Sequence, residues 1–433
     1  MAKSFELWNQ IVDLGPHRFF SSDPRVNEFW LESLDNEYVM INRLTRIYYK
    51  NKFFSYPIQA MNALNGLGIF EAVRCVLSYI KIKIKPIKDE DKFDSWVMNR
   101  FGSRLFQIFF QSYTEKLWGI KCSMLDADFA AQRIKKLSLL EAIKGAFVGN
   151  QKNKHRTLVD EFAYPRLGAG YVYTKLAEKF LAAGGMLELN TPVDEVRLLS
   201  NKVEITLKDK PSQLFDHVIS TMPLTHLVYK IGAPQNILEK TKELKFRNTI
   251  LVYLKVAGKN PFPDQWIYVH AEDLQTGRIT NFRNWTESIN RDENANIICL
   301  EYWCNDNDEI WEWDNGRLKA LATKELYATK LVDGNSIQDG FVQRIPKCYP
   351  VYSSGYRSIL EPVQDYLREI TTITPIGRYG SFKYNNQDHS ILMGLLACQN
   401  ILGESYTDLW AINTDYEYQE STRITATGLL RNE

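Results

Sequence analysis

The chain has 433 residues, more than one hydrophobic core usually serves, so two or three structural units are expected. Its 53 Lys+Arg against 52 Asp+Glu give a formal charge of +1, which lends no support to bulk electrostatic capture of nucleic acid or of an anionic membrane; any anion must be met by local groups. Six scattered cysteines (Cys75, Cys122, Cys299, Cys304, Cys348, Cys398) form neither a C-x-x-C pair nor a Cys/His cluster at metal-ligand spacing, so no metal site is expected and a reduced, cytoplasmic setting fits.

The N-terminal stretch "MAKSFELWNQIVDLGPH" lacks the apolar region of a signal peptide, and apolar runs elsewhere are broken by charge short of the roughly 20 residues that span a bilayer. In "DLGPHRFFSSDP" (13–24), Gly15-Pro16 makes a tight turn, and the cations His17 and Arg18 sit beside the apolar pair Phe19-Phe20. A histidine beside a turn is more often a structural hydrogen-bonder, but this combination suits a cofactor wall. "IKIKIKPIKDEDK" (80–92) alternates, which predicts an exposed strand or loop with its lysines solvated. From Asp91 to Gly119 the period is helical: Val97, Phe101, Leu105, Ile108 and Phe109 recur at three- and four-residue steps, and Gly119 is the expected stop. Ser138 and Glu141 have capping-box spacing, so residues 90–150 read as a helical subdomain.

At "YPRLGAGYVYTKLAEKFLAAGGMLELNTPVDEV" (164–196) a glycine turn enters an amphipathic helix, Gly184-Gly185 ends it and "MLEL" begins a strand. Further strands are expected at "VDEVRLL", "KVEITL" and "DHVIST", the last stopped by Thr221-Met222-Pro223, as sheets present ligands at their carboxyl edges. Between about 246 and 345 four apolar runs predict an antiparallel sheet, and "SILEPVQDYLREI" a helix. In "GRYGSFKYNNQDHSILMGLLACQNIL" (377–402) polar residues crowd the start of an apolar helix that carries the small residues Gly394, Ala397 and Cys398. Such a helix start favours a phosphate, or a ring that becomes anionic on reduction, and small residues let a flat cofactor approach closely. The plainer alternative is that Asp388 or Ser390 is only the N-cap.

There is no G-x-G-x-x-G; "NGLG" (65–68) and "LGAG" (167–170) have the wrong spacing. Walker A, G-x-S-x-G and H-E-x-x-H are absent too, so hydrolase and nucleotide-triphosphatase readings have no specific support, and no residue is nominated as catalytic.

Several stretches together resemble the FAD-dependent superfamily of flavin amine oxidases, protoporphyrinogen oxidases and UDP-galactopyranose mutases, with mutase-like members nearest. They are "DLGPHRFFSSDPRVNEFW", "FFSYPIQ", "FFQSYTEKLWGI", "AQRIKKLS", "CYPVYSSGY" and "GRYGSFKYNNQDHSILMGLL", spread over nearly the whole chain in the family's order. The resemblance implies an α/β fold with an α+β substrate part: a Rossmann-like FAD-binding domain (1–30, 165–225 and 371–433), a helical subdomain (31–164) and a substrate domain with an antiparallel sheet (226–370). It implies FAD as cofactor. Arg378, Asn386, Gln387 and Asp388 would surround the flavin and ribityl chain, Gly15, Pro16 and His17, with Arg18 beside them, would line the ring, and Val193 and Thr221 would lie near the adenine. Arg278, Tyr349 and Tyr384 fall where mutase-like relatives contact a sugar nucleotide.

Two departures are visible. The family begins with a βαβ unit bearing the dinucleotide fingerprint, and this chain starts just upstream of the flavin segment, so the FAD-binding domain is expected to be incomplete. Phe382 and Asn385 stand where mutases carry a diphosphate-binding tyrosine pair, with Tyr384 between them, and Phe20 stands at a mutase histidine position. The expected activity is hydride transfer from a small organic substrate to flavin. The alternatives are a redox-neutral isomerase acting on a nucleotide sugar with reduced FAD, and a truncated, non-catalytic remnant. A small-molecule substrate is expected, without nucleic acid and without a membrane span.

Overall fold

The computed structural model describes residues 2–56, 58, 60–127, 160–292 and 294–413. They form two compact units, one from the described residues of Met1–Thr174 and Arg247–Pro346, the other from those of Lys175–Phe246 and Lys347–Tyr416. The expected capping box at Ser138 and Glu141 and the "AQRIKKLS" stretch lie outside the described residues.

The first unit is organised by a seven-stranded sheet in the order Ile337–Pro350, Phe246–Ala257, Ala295–Cys304, Arg278–Asn281, Trp266–Val269, Thr45–Tyr49 and Lys52–Ser55. The antiparallel sheet expected from the sequence is its centre, where Phe246–Ala257 runs against Ala295–Cys304 and the latter against Arg278–Asn281. The sequence did not signal the parallel pairing of Trp266–Val269 with Thr45–Tyr49. Every residue of Ala295–Cys304 is buried, because both faces of this strand are covered; its sequence is therefore a continuous apolar run rather than an alternating one. Ile250, Val252, Leu254, Ile298 and Leu300 pack beneath the helix Asn315–Ala328, which contributes Leu318, Ala322 and Leu326 from one face at four-residue steps.

Beside the sheet lie the helices Ile69–Ile84, Phe93–Phe101, Ser103–Phe106 and Ser112–Trp118, with a π-helical turn at Gln107–Gln111. Two expectations change here. The segment 91–119 breaks at Gly102, which has φ +82°, because a Cβ there would stand 2.8 Å from the backbone nitrogen of Tyr79 on the neighbouring helix. Residues 80–84 are the last turns of the helix Ile69–Ile84 rather than a strand or loop. Alternation over five residues does not override an established helix, which ends where Lys85 precedes Pro86 and the helical conformation becomes sterically disfavoured. Gly119 closes the following helix in the left-handed conformation as expected, at φ +66°.

In the second unit, the strands expected at "VDEVRLL" and "KVEITL" form as the antiparallel pair Val193–Leu198 and Val203–Leu207, which Gln213–Phe215, not expected from the sequence, extends to three strands. A separate parallel pair joins Val218–Ser220 to Ile373–Pro375. Helix Tyr356–Arg368 buries Tyr356, Leu360, Val363 and Leu367, the three- and four-residue steps of one helical face. The strand expected at Met186–Leu189 does not form: no strand among the described residues pairs with it, and Met186 and Leu189 are 86% and 73% exposed. Without a ladder partner, an apolar pattern has no backbone hydrogen bonds to hold it extended.

Candidate functional site

In the second unit the parallel pair sets Ser220 opposite Pro375, so two chain segments leave the sheet side by side at its carboxyl edge. Ile376 N–H donates to the Ser220 carbonyl at 2.9 Å. Exposed Thr221 follows one strand, and Gly377, at φ +79°, starts the short helix Gly377–Gly380 that carries Arg378 after the other. Gly380 could not carry a side chain, since its Cβ would stand 2.8 Å from the Ser220 carbonyl oxygen. The Ser220 hydroxyl is buried without a hydrogen-bond partner among the described residues, while a Cβ at Gly377 or at Gly394 would meet nothing within 4 Å. A buried orphan hydroxyl and glycines opening on space are features that a bound group with polar edges would use, so the residues fit a cofactor here.

Arg378 donates from Nε to the Asn385 carbonyl at 2.9 Å, and its guanidinium lies 4.9 Å from the Tyr384 ring and 5.1 Å from the Tyr349 ring. Those two rings stack on each other at 5.3 Å with 10° between planes. Tyr384 is held from behind, its N–H donating to the Tyr352 hydroxyl at 2.8 Å. The sequence-nominated Arg378, Tyr349 and Tyr384 therefore form one cluster. The helix that follows runs Gln387–Leu402, and its N-cap is Asn386, not Asp388 or Ser390. The Asn386 side chain accepts from the N3 backbone, and the His389 side chain accepts from the Asn386 backbone, a reciprocal capping box that orients this end of the helix. Gln387 is half-buried and Asp388 buried in its first turn. Val193 opens the strand Val193–Leu198 opposite Leu207 and is half-buried. Buried Lys383 donates to the carbonyls of Trp410 and Ile412, and burial pulls its ammonium down to about 8.

In the first unit the Asp13–Gly15 bend is tightly constrained. The Asp13 carbonyl accepts from Gly15 N–H at 2.8 Å and from the Tyr253 hydroxyl at 2.7 Å. The Asp13 carboxylate accepts from Ser4 at 2.5 Å, from the Tyr164 hydroxyl at 2.7 Å and from Ala169 N–H at 3.1 Å. Burial nevertheless outweighs these bonds and pushes the Asp13 carboxyl up to about 6. The "LGAG" stretch is thus a packed loop: a Cβ at Gly168 would stand 2.4 Å from Ser4 Oγ.

Gly15 adopts φ +90°, and its Cβ position lies 3.4 Å from the Glu301 carboxylate. Glu301, 2% exposed, is held by Arg278 through two parallel bonds, Nε to Oε1 at 2.7 Å and Nη2 to Oε2 at 2.6 Å. Gly15 and Arg278 thus meet at one carboxylate. Pro16 and His17 are half-buried, and the Arg18 guanidinium rests 4.5 Å over Phe20 and 6.0 Å from Trp266. Sequence reasoning missed Glu301, Asp13, Tyr253 and Ser220. The signal for Glu301 was a lone charge in the middle of "NIICLEYWC", an otherwise apolar strand.

Comparison with known proteins follows the same lines. The sequence profile of the flavin-containing amine oxidoreductases matches residues 2–343. A crystal structure of reduced UDP-galactopyranose mutase is similar in fold at TM-score 0.82 and 20% identity, over 95% of this chain and 90% of that one. A protein from Exiguobacterium described as a protoporphyrinogen oxidase is similar at TM-score 0.67 and 13% identity, over 87% and 85% of the two chains. Cyclohexylamine oxidase from Brevibacterium oxydans is similar at TM-score 0.60 and 11% identity, over 91% and 88%. The mixed α/β architecture is that of the FAD-dependent oxidoreductases, and the chain belongs to the flavin-containing amine oxidoreductase family.

Proposed function

We propose that this chain is an FAD-dependent oxidoreductase that takes hydride from a small organic substrate. The observation that carries the reading is the carboxyl edge of the parallel pair, where the buried Ser220 hydroxyl, the open Gly377 turn and the start of the Gln387–Leu402 helix occur together. In this reading Arg378, Asn386, Gln387 and Asp388 hold the flavin and its ribityl chain, and Val193 and Thr221 the adenine end. When bound, FAD supplies a two-electron acceptor. The chain's own residues orient it: the helix start places partial positive charge against electron-rich oxygens, and the open side of Gly394 lets a flat ring approach the helix.

A second reading, a mutase-like isomerase acting on a nucleotide sugar, is favoured by the Tyr349–Arg378–Tyr384 cluster. A guanidinium against a stacked pair of phenol rings suits a diphosphate, with charge from the arginine and hydroxyl donors from the tyrosines. In it Arg378, rather than Arg278, is the main anion ligand, because Arg278 already spends two donors on Glu301.

The test is direct. The purified full chain is loaded with FAD, its flavin spectrum recorded, and anaerobic bleaching followed with a panel of primary amines, while UDP binding is read by quenching of tyrosine and tryptophan fluorescence. Bleaching supports the oxidoreductase. Saturable UDP binding without bleaching supports the isomerase. A chain that takes up no FAD refutes both and leaves the non-catalytic reading.

A further inference from the structure

The helix Ile69–Ile84 is apolar on two sides. Its inner side is anchored: Ala72, Cys75 and Tyr79 are buried, Ser78 Oγ accepts from Arg104 N–H at 3.0 Å, and the Glu71 carboxylate is engaged by Arg104. Its outer side carries Ile69, Phe70, Val73, Val76, Leu77, Ile80 and Ile84, exposed by 81, 91, 51, 40, 60, 47 and 79%. At 100° per residue these seven fall in one arc about 120° wide, which is the width of a helix face meant for burial. Side chains of this size at these exposures present roughly 700–900 Å², more than the ~300–600 Å² patch of an ordinary monomer and close to the ~800 Å² one partner buries in a stable interface. Such a face is expected to be covered.

The charges bordering the arc say by what. Lys83 lies along one edge, Lys81 and Arg74 along the other, and Lys85 and Lys88 follow the helix end, all exposed. Of the acids nearby, Glu71 is held by Arg104 and Arg74, Glu90, which lies near Lys83, is held by Asn99 and Arg100, and exposed Asp89 follows Lys88. A second copy of this helix would bring basic edge against basic edge in either orientation. An anionic lipid surface is complementary to both edges at once, with lysine heads at headgroup level and stems along the apolar side. The helix is about 24 Å long, and no helix among the described residues is long and apolar enough to cross a bilayer, so this one would lie in the interface plane.

We propose that the outer face of Ile69–Ile84 is a docking surface for an anionic membrane. It is independent of which reaction the flavin site performs. The chain's near-zero net charge does not oppose it, because each lysine acts within a Debye length of the headgroups.

Co-sedimentation with phosphatidylcholine vesicles, with and without phosphatidylglycerol, tests it on the full chain. The wild type should pellet with the phosphatidylglycerol vesicles and be released as salt is raised. Lys81→Gln/Lys83→Gln should bind roughly thirtyfold more weakly. Phe70→Ser/Ile84→Ser should bind neither vesicle while keeping the wild-type melting temperature, since both side chains are largely exposed. Failure of the wild type to pellet with anionic vesicles overturns the proposal. So does a lipid-free dimer, seen by analytical ultracentrifugation, that Phe70→Ser/Ile84→Ser converts to monomer, because that result assigns the face to a second copy.

Discussion

The Arg278–Glu301 pair offers the sharpest quantitative test of the first unit. Glu301 is 2% and Arg278 16% exposed, and two parallel bonds below 2.8 Å join them. Arg278→Met leaves a carboxylate with almost no access to water, against the backbone at Gly15. A buried charge stripped of its partner costs about 3–5 kcal/mol. Glu301→Leu strands the guanidinium instead, and this loss belongs at the lower end, because Arg278 keeps some solvent contact and the Trp303 ring lies 5.9 Å away. The double variant removes both charges and refills the volume with apolar atoms, so it should lie within about 1–2 kcal/mol of the wild type, where simple addition would give roughly 6–8. Urea unfolding of the wild type, both singles and the double, followed by tryptophan fluorescence, measures the cycle. Additive losses would refute the reasoning, as would a Glu301→Leu protein as stable as the wild type.

Two further outcomes are expected. Asp13, raised by burial to about 6 from 3.8, holds a proton in the folded state that the unfolded chain gives up; its contribution is fully present below pH 3.8 and is lost as pH rises through about 6. Wild-type stability relative to Asp13→Asn should therefore fall by about 3 kcal/mol between pH 3.5 and 7 in denaturant titrations; parallel pH profiles for the two proteins would count against a raised Asp13. Gly394→Ala meets no atom within 4 Å in the helix Gln387–Leu402, so it should stabilise the flavin-free protein by about 0.5–1 kcal/mol while weakening FAD binding. Unchanged FAD affinity in a spectroscopic titration would remove this helix face from the cofactor site.

Much of the fold was legible because it rests on local signals. Gly119 ended its helix in the left-handed conformation its position demanded, and the apolar runs of 246–304 became the central sheet strands. The errors came from context that lies far away in sequence. Gly102 broke a periodic helix because another helix passes against it, and Met186–Leu189 remained unpaired because a strand is a relation between two segments. The candidate site shows the same division. Arg378, Tyr349 and Tyr384 were nominated from sequence and meet in space. Glu301 and Asp13 were passed over, since a carboxylate inside an apolar strand or hairpin shows its purpose only once its three-dimensional partners are known.

The pairing of Val218–Ser220 with Ile373–Pro375 also bears on how the chain is made. The two strands lie roughly 150 residues apart, so during synthesis the earlier one waits on the order of 10–30 s for its mate to emerge. Through that interval Ile219 and its neighbours have no sheet to join. A nascent-chain chaperone would find an opportunity there, and a circular permutant that makes the two strands consecutive should shorten it.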